Sequence, residues 1–247
     1  MRLRPFWTYG LERYGMSIER HDFTSGTELA QSLSEAIADK LSSAIAERGH
    51  ATIAVSGGTT PLKLFDILSR KMIDWTLVTI TLVDERFVAP TNERSNEKLV
   101  RDHLLRDHAG VAKFVGLYNP AATAETAALA AANRIDALHR PFDVVVLGMG
   151  NDGHTASFFP NADRLDQAID PKTKAVVLPI HAEGAGEKRL TLTLPLLVEA
   201  DMLVLHIEGA AKQATLEKAL SSDDEKEMPV RAVFRHARKP IQLYWTS

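Results

Sequence analysis

The 247-residue sequence contains no cysteine, which excludes a disulfide framework, a thiolate nucleophile and a cysteine-based zinc site. It also lacks any stretch near the roughly 18 consecutive apolar residues that a membrane helix needs, so we expect no membrane partner. Basic residues number 29 and acidic residues 32, a net charge of −3, so no overall field attracts nucleic acid. An anionic ligand must therefore be bound by a local cluster of cations.

The first 15 residues differ in pattern from the rest of the chain. They contain arginines and aromatics but neither the apolar core nor the small-residue cleavage site of a secretory signal. We interpret residues 1–15 as an N-terminal extension with the true start at Met16, and a short surface arm is the alternative. With no targeting peptide and no cysteine, the cytoplasm is the expected location.

Predicted helices and strands alternate along the remaining chain. Helix 26–48 has leucine or isoleucine every four residues, a capping box of Ser25 and Glu28, and Gly49 as its stop. Strand 51–55 leads through a glycine turn to Pro61, at the first position of the next helix. Further helices are predicted at 62–70, 96–108, 121–139 and 210–220, and further strands at 77–83, 113–118, 143–147, 175–178, 190–194, 202–207 and 241–245.

This alternation predicts an α/β fold of Rossmann-like type, with a mostly parallel sheet and helices on both faces. Residues 16–247 are expected to form one domain, with a small subdomain inserted around 155–195. In such a sheet the ligand site lies at the carboxyl ends of the strands. Polar clusters follow predicted strands at residues 56–60, 84–86, 148–154 and 208–212. We therefore expect these clusters to converge on one ligand.

Residues 56–60, SGGTT, have the composition of an anion-binding loop. Glycines let backbone N–H groups point inward, and the N-terminus of the following helix adds roughly half a positive charge. The backbone of Gly57, Gly58 and Thr59 is a candidate phosphate cradle, with a tight strand-to-helix turn as the alternative. A Walker motif is absent because Lys63 falls inside the helix.

Cationic side chains accompany this loop at other strand ends. Residues 84–86, DER, are predicted to form a loop in which Arg86 could bind phosphate through two hydrogen bonds, with a solvated turn as the alternative. Arg189 follows Lys188 at the start of another predicted strand. Lys212 lies at a helix start, where the helix dipole disfavours a cation. We infer an anionic ligand for Lys212, and a solvated lysine is the alternative.

The stretch GMGNDGH at 148–154 contains the GxGxxG spacing of a dinucleotide-binding loop. That fingerprint opens a long helix, whereas Pro160 comes seven residues after Gly153, so we interpret the match as fortuitous. The loop also contains Asp152 and His154. An imidazole can accept a proton from water and return it to a leaving oxygen, while a carboxylate orients the ring. A structural histidine is the alternative, and no accompanying ligand cluster favours a metal.

Taken together, these motifs resemble the 6-phosphogluconolactonase family of the glucosamine/galactosamine-6-phosphate isomerase superfamily. The resemblance spans residues 17–247 and keeps the motifs in the family's order. The motifs are SGGTTP at 56–61, DERFV at 84–88 with Ser95-Asn96, GMGNDGHTAS at 148–157 with Phe159-Pro160, KRLTLT at 188–193, and Gly209 with Lys212.

The resemblance implies hydrolysis of 6-phospho-D-glucono-1,5-lactone to 6-phospho-D-gluconate in the oxidative pentose phosphate pathway, without metal or organic cofactor. In that case His154 is the general base and later the acid, supported by Asp152. Such a reaction also needs donors for the developing oxyanion, and the turn at 148–153 is the nearest candidate. The other implied site residues are Arg86, Arg189 and Lys212 for phosphate and sugar, the backbone of Gly57, Gly58 and Thr59 for the cradle, and Asp84, Ser95, Gly150 and Gly153 as supports.

Two alternatives stay open. Deaminases of the same superfamily carry a catalytic glutamate seven residues after the aspartate of this loop, and this sequence has Phe159 there. That departure favours the lactonase over the deaminase. A sugar-phosphate-binding effector domain without turnover is the second alternative, although no helix-turn-helix or basic patch for DNA is visible. We expect a monomer whose partner is a small sugar-phosphate lactone.

Overall fold

A computed structural model of the chain describes residues 8–11, 16–183 and 185–247. Short 3-10 helices lie at Trp75–Leu77 and Asp107–Val111. The strands are β1 (Thr8–Leu11), β2 (Met16–Phe23), β3 (Ala51–Val55), β4 (Val78–Leu82), β5 (Asp84–Arg86), β6 (Lys113–Val115), β7 (Val144–Leu147), β8 (Val177–Ile180), β9 (Arg189–Leu192), β10 (Met202–Glu208) and β11 (Ile241–Thr246). The α-helices are α1 (Gly26–Arg48), α2 (Leu62–Leu68), α3 (Asn96–His103), α4 (Ala124–Asp136), α5 (Leu165–Ala168), α6 (Leu194–Val198), α7 (Ala210–Leu220) and α8 (Val230–His236).

The main sheet has eight strands in the order β1-β2-β11-β10-β7-β3-β4-β6. All neighbours are parallel except β1 and β2. The predicted α/β class with a mostly parallel sheet is therefore confirmed. Strand order reverses between β3 and β7, because β4 and β6 continue on one side and β10 and β11 on the other. A ligand crevice is expected at such a switch point, outside the carboxyl ends of these strands.

Helix α1 follows the local signals of its sequence. The Ser25 hydroxyl accepts the N–H of Glu28, and Gly49 ends the helix at φ 78°. The predicted capping box differs in one respect, because the Glu28 carboxylate accepts from Thr24 and not from Ser25. The apolar side chains spaced four residues apart are buried against the main sheet, which explains why this long helix forms: Leu29, Leu33, Ile37 and Leu41.

A second, antiparallel sheet has the order β5-β9-β8. The prediction that residues 84–86 form a loop is wrong, since they are strand β5. The chain enters this sheet through Val83, whose N–H donates to Val55 of the main sheet and whose carbonyl accepts from Leu192 of the small one. Strand propensity gave no sign of β5, because a run of charged residues disfavours a strand until tertiary partners satisfy it.

The small sheet includes much of the predicted insertion around 155–195. Its buried side chains, such as Leu178 and Leu190, belong to the same hydrophobic cluster as those of the main sheet. The domain bounds stay a prediction. Of residues 1–15, only β1 is described, where it pairs with β2, and the remaining positions of the predicted extension lie outside the described residues.

Several element bounds are shorter than predicted. Helix α3 ends at His103 rather than 108, and a separate 3-10 turn follows. Helix α4 begins only after Thr123, whose hydroxyl accepts the N–H of Thr126. The sequence analysis did not predict helices α6 and α8, both of which have proline at their starts. Among the described residues, no helix is long and apolar enough to cross a membrane.

Candidate active site

A cavity of about 440 Å³ opens at the carboxyl ends of β3 and β7, between the two sheets. It lies at the switch point of the main sheet, as the topology predicts. The cavity brings together most of the predicted site residues: Gly57, Gly58, Thr59, Asp84, Arg86, Gly150, His154, Arg189 and Lys212. Asp152, Gly153 and Ser95 do not line it. Asp152 and Gly153 contact residues that do, and Ser95 acts at one remove, through Glu85.

The loop after β7 carries the histidine–carboxylate pair. His154 Nδ1 lies 2.6 Å from Asp152 Oδ1, which also accepts the backbone N–H of His154 at 3.1 Å. Burial opposes ionisation of Asp152, but the hydrogen bonds and charge of His154 outweigh it and lower the pKa of Asp152 to about 2. An ionised carboxylate accepts, so Nδ1 of the ring is the donor. The second ring nitrogen of His154 has no hydrogen-bond partner among the described residues, and in the neutral ring it is an acceptor.

The glycine turn of this loop allows the pair to form. A Cβ at Gly150 would lie 2.1 Å from His154 Nδ1 and 2.5 Å from Asp152 Oδ1, so only glycine fits. The N–H groups of Gly148, Gly150 and Gly153 donate within the protein, to Ser56 Oγ, His154 O and Gly150 O. These three amides therefore do not supply the oxyanion donors expected from this turn. Cationic side chains and the backbone of residues 57–59 also line the cavity and offer other donors.

The loop at 56–60 has the geometry of a phosphate cradle. Gly58 adopts φ 94°, which an L side chain rarely does. A Cβ at Gly57 would lie 1.8 Å from Asn96 Oδ1, so this backbone passes directly against that side chain. Within the described part of the chain, the amides of Gly57, Gly58 and Thr59 have no hydrogen-bond partner. Unpaired N–H groups facing a cavity are typical of an anion site. Pro61 is the N-cap of α2 rather than its first residue.

Arg86 is held at the end of β5 by its neighbours. Its Nη1 donates to Asn96 Oδ1 at 2.7 Å and to the carbonyl of Arg94 at 2.8 Å. The side-chain Nδ2 of Asn96 donates in turn to the backbone carbonyl of Asp84 at 2.9 Å. Arg86 Nε is buried and has no partner among the described residues. A guanidinium fixed on one edge and unpaired on another is prepared to bind an anion.

A buried carboxylate joins this strand to helix α3. Glu85 is fully buried and accepts the backbone N–H groups of Arg86, Asn96 and Glu97 and the hydroxyl of Ser95, at 2.7–2.9 Å. Burial raises the pKa of Glu85, although the four donors act in the opposite direction. Ser95 thus supports the site through Glu85, away from the cavity. Glu85 is what places Arg86 and Asn96 beside each other.

Arg189 is the most buried cation of the cavity, at 8% exposure. Its Nη2 donates to the carbonyl of Ala185 at 3.0 Å, and its Nη1 lies 4.0 Å from Asp84 Oδ2. Burial lowers the pKa of Arg189, and Asp84 opposes that effect. Asp84 is itself held by the Ser157 hydroxyl at 2.6 Å. Arg189 Nε has no partner among the described residues, so this buried charge is only partly compensated.

Lys212 lies in the first turn of α7 and lines the cavity. No hydrogen-bond or ion-pair partner is found for its amine among the described residues. Burial lowers the pKa of Lys212, and Asp152 acts in the opposite direction. The sequence analysis inferred an anionic ligand from the helix start alone, and the unpaired, partly buried amine supports that inference.

The cavity includes residues that the sequence analysis did not place in the site. Asn96 was seen only as part of a motif, and Phe159 only as a difference from deaminases. His206 lies inside the apolar strand β10, which is typical of a structural histidine, yet it also lines the cavity. Among the described residues, no group of His, Asp and Glu has the arrangement of a metal site. After Gly153 the next α-helix begins only at Leu165, unlike a dinucleotide-binding loop.

Known proteins match nearly the whole chain. A family model described as glucosamine-6-phosphate isomerases/6-phosphogluconolactonase matches residues 24–245. A 6-phosphogluconolactonase of Rhizobium meliloti is 54% identical over 230 residues, which cover 93% of this chain and 99% of the relative. That of Mesorhizobium japonicum is 47% identical and covers 94% and 96%. A crystal structure of a 6-phosphogluconolactonase from Shewanella baltica has a TM-score of 0.90 at 44% identity, covering 92% of this chain and 97% of that one.

Proposed function

The chain belongs to the family of glucosamine-6-phosphate isomerases and 6-phosphogluconolactonases, and we propose that it acts as a 6-phosphogluconolactonase with His154 as general base. It hydrolyses a carboxylic ester, the lactone of 6-phospho-D-gluconate. Identity of 54% to a relative of that name over nearly its whole length supports this activity. The observation that carries the mechanism is the His154–Asp152 pair at a cavity that is also lined by three cationic side chains and by the amides of residues 57–59.

Water is the nucleophile in this mechanism. The free nitrogen of His154 takes a proton from water as its oxygen attacks the lactone carbonyl. The carbonyl oxygen becomes an oxyanion, which the nearby cations stabilise. When the tetrahedral intermediate collapses, the bond to the ring oxygen breaks and His154 returns the proton to that oxygen. Asp152 keeps the ring oriented and stabilises the imidazolium between the two transfers.

The cationic side chains and free amides that line the cavity bind the phosphate. Within the described ranges, Arg86 and Arg189 each have an unpaired Nε, and the amine of Lys212 has no partner. The free amides of residues 57–59 add neutral donors. Binding the phosphate in this way supplies the energy that orients the reacting carbonyl against His154.

A deaminase is disfavoured by the side chain at position 159. The resemblance requires a glutamate there for deamination, and Phe159 has no group that transfers a proton. An effector domain would bind a sugar phosphate without turnover. The monomeric state and the cytoplasmic location expected from the sequence stay predictions, as does a reaction without metal.

The test is hydrolysis of freshly generated lactone, corrected for its spontaneous opening, by the wild type and by His154→Ala. We expect kcat of the variant to fall by about 10²- to 10⁴-fold, the usual contribution of a general base. His103→Ala is the matched control, since His103 also pairs with an aspartate, Asp66, at 3.0 Å but lies outside the cavity. That control should keep the wild-type rate. Near wild-type activity of His154→Ala would disprove the base assignment, and a wild type that binds without turnover would favour the effector domain.

A further inference from the structure

Phe159 contacts both the proposed base, His154, and the cation Arg189. Its ring centroid lies 4.4 Å from that of His154, at an interplanar angle of 38°. The guanidinium carbon of Arg189 lies 5.4 Å from the centroid of the same ring. The ring is almost fully buried and lines the cavity. One apolar side chain is therefore in contact with the base and with an anion-binding cation.

Arg189 has few other groups to orient it. Among the described residues, its only side-chain hydrogen bond is to the carbonyl of Ala185, and its ion pair with Asp84 is long, at 4.0 Å. A guanidinium within about 6 Å of an aromatic ring is attracted by the negative face of the ring. This contact takes up no N–H group, so Arg189 keeps its unpaired Nε for a ligand.

His154 is fixed at one nitrogen only. The hydrogen bond to Asp152 places Nδ1, but the ring can still turn about that contact. Packing against a second ring at this distance and tilt restricts the turn, since aromatic pairs have preferred geometries. The direction of the free nitrogen of His154 thus depends on where Phe159 lies.

The loop that carries Phe159 is built to hold one conformation. Ala156 has φ 48° and Asn161 has φ 60°, both in the left-handed region that costs energy for residues other than glycine. Ser157, fully buried, anchors the loop through its hydroxyl to Asp84 and through its N–H to Thr191. Such backbone strain persists only where the surroundings impose it.

From these contacts we infer that Phe159 is a positioning residue, which orients the His154 ring and the Arg189 guanidinium together. This inference rests on the proposed function, because it takes His154 as the base and Arg189 as an anion-binding residue. A change of Phe159 then impairs turnover and product binding at once. If Phe159 had only a structural role, its substitution would lower stability without impairing turnover and product binding together.

The experiment compares Phe159→Leu, Phe159→Tyr and Phe158→Leu. Phe158 is the matched control, because it is fully buried in the same loop and does not line the cavity. Lactone hydrolysis gives kcat, calorimetry with 6-phospho-D-gluconate gives Kd, and thermal unfolding gives Tm. For Phe159→Leu we expect kcat to fall about tenfold and Kd to rise about fivefold, the scale of a misplaced base and a lost cation–π contact. Phe159→Tyr keeps the ring and should stay within about threefold of the wild type in both.

Phe158→Leu should lower Tm and leave kcat and Kd unchanged. The inference is overturned if Phe159→Leu keeps both constants, if Phe159→Tyr is as impaired as Phe159→Leu, or if Phe158→Leu loses kcat and Kd to the same degree. Measuring His154→Ala beside these variants separates a failure of the inference on Phe159 from a failure of the proposed mechanism. If His154→Ala is inactive while Phe159→Leu is normal, only the inference on Phe159 fails. If His154→Ala is active, the proposed mechanism itself fails.

Discussion

The cavity has two unlike walls. The base wall is His154, after strand β7 of the main sheet, together with Asp152, which supports it from outside the cavity lining. The clamp wall comprises Asp84, Arg86 and Arg189, on strands β5 and β9 of the small sheet. The side chain of His154 is 31% exposed and that of Asp152 is 49% exposed. The side chains of Arg189 and Asp84 are only 9% and 8% exposed. His154, the group proposed to move protons, is partly exposed, whereas Arg189 and Asp84 of the clamp wall are buried and Arg86 is partly buried.

This difference follows from how each wall is built. The topology of a parallel sheet places the loop after β7 at the switch point, where water and ligand arrive. The clamp wall depends instead on buried hydrogen bonds around Glu85 and Asn96, which fix Arg86 before any ligand binds. Because these charged side chains are already fixed, they lose little conformational entropy when they bind an anion. Changes in the base wall should therefore act on kcat, and changes in the clamp wall on KM.

Asp152→Asn should have the largest effect and should appear in kcat. An amide cannot hold the His154 ring as an ionised carboxylate does, and it offers no charge to the imidazolium. We expect kcat to fall by about 100-fold, within the usual range for acid–base support, while KM changes little. Steady-state kinetics on fresh lactone measures both constants. A rise in KM at unchanged kcat would break the distinction between the two walls.

The same pair predicts a stability change at acid pH. Because the pKa of Asp152 is lowered from 3.8 to about 2, its pairing with His154 contributes its full stability above pH 3.8. That contribution is lost as pH falls through about 2. In urea titrations at pH values between about 2 and 4, the free energy of unfolding of Asp152→Asn should therefore fall less steeply with decreasing pH than that of the wild type. The kcat of this variant should be low throughout the neutral range.

Arg86→Ala should have the next largest effect and should appear in KM. Charge-assisted hydrogen bonds to a phosphate are worth about 1.5–3 kcal/mol, and a loss of about 2 kcal/mol corresponds to roughly a thirtyfold rise in KM. We expect kcat to stay within about threefold, because the phosphate is remote from the reacting carbonyl. Arg101→Ala is the matched control, since Arg101 pairs with Glu97 outside the cavity. An unchanged KM for Arg86→Ala would remove Arg86 from the clamp.

The sequence predicted the base wall better than the clamp wall, for a physical reason. Strand β7 is an apolar run followed at once by glycines, Asp152 and His154, so local pattern and chain order suffice to place the pair. Strand β5 is polar throughout, and its strand conformation comes from pairing with β9, far along the chain. Its position after a predicted strand made Arg86 a candidate phosphate ligand, and the resemblance assigned both Arg86 and Arg189 to the site. Strands near β8 and β9 were predicted, but neither spacing nor propensity predicted β5 or its pairing with β9.

Side chains that act through others were the hardest to predict. Glu85 looked like one charge in a surface turn, and only the folded chain brings the amides of α3 onto its carboxylate. Asn96 touches both the Gly57 backbone and Arg86, two contacts that no local pattern encodes. His206 follows four apolar residues in β10, a context that favours a structural role.

His206→Gln should have the smallest effect, and it tests whether exposure decides which histidine transfers protons. His206 also pairs with a carboxylate, through Nε2 at 3.1 Å from Glu208 Oε1, and it also lines the cavity. That hydrogen bond lowers the pKa of Glu208, against the effect of burial. The ring is only 2% exposed, however, and its Nδ1 is buried without a partner among the described residues. That nitrogen is buried and has no hydrogen-bonded group beside it in the described part of the chain, so it is poorly placed to take a proton from water.

Glutamine at position 206 can keep the donor to Glu208 while removing the second ring nitrogen. We therefore expect kcat and KM of His206→Gln to stay within about threefold of the wild type, since most of a base's 10²- to 10⁴-fold contribution would come from His154. Thermal unfolding of the same variant separates a packing defect from a chemical one. A 100-fold loss of kcat at unchanged Tm would mean that the buried pair takes part in proton transfer. The contrast between an exposed base wall and a buried clamp wall would then no longer explain which groups react.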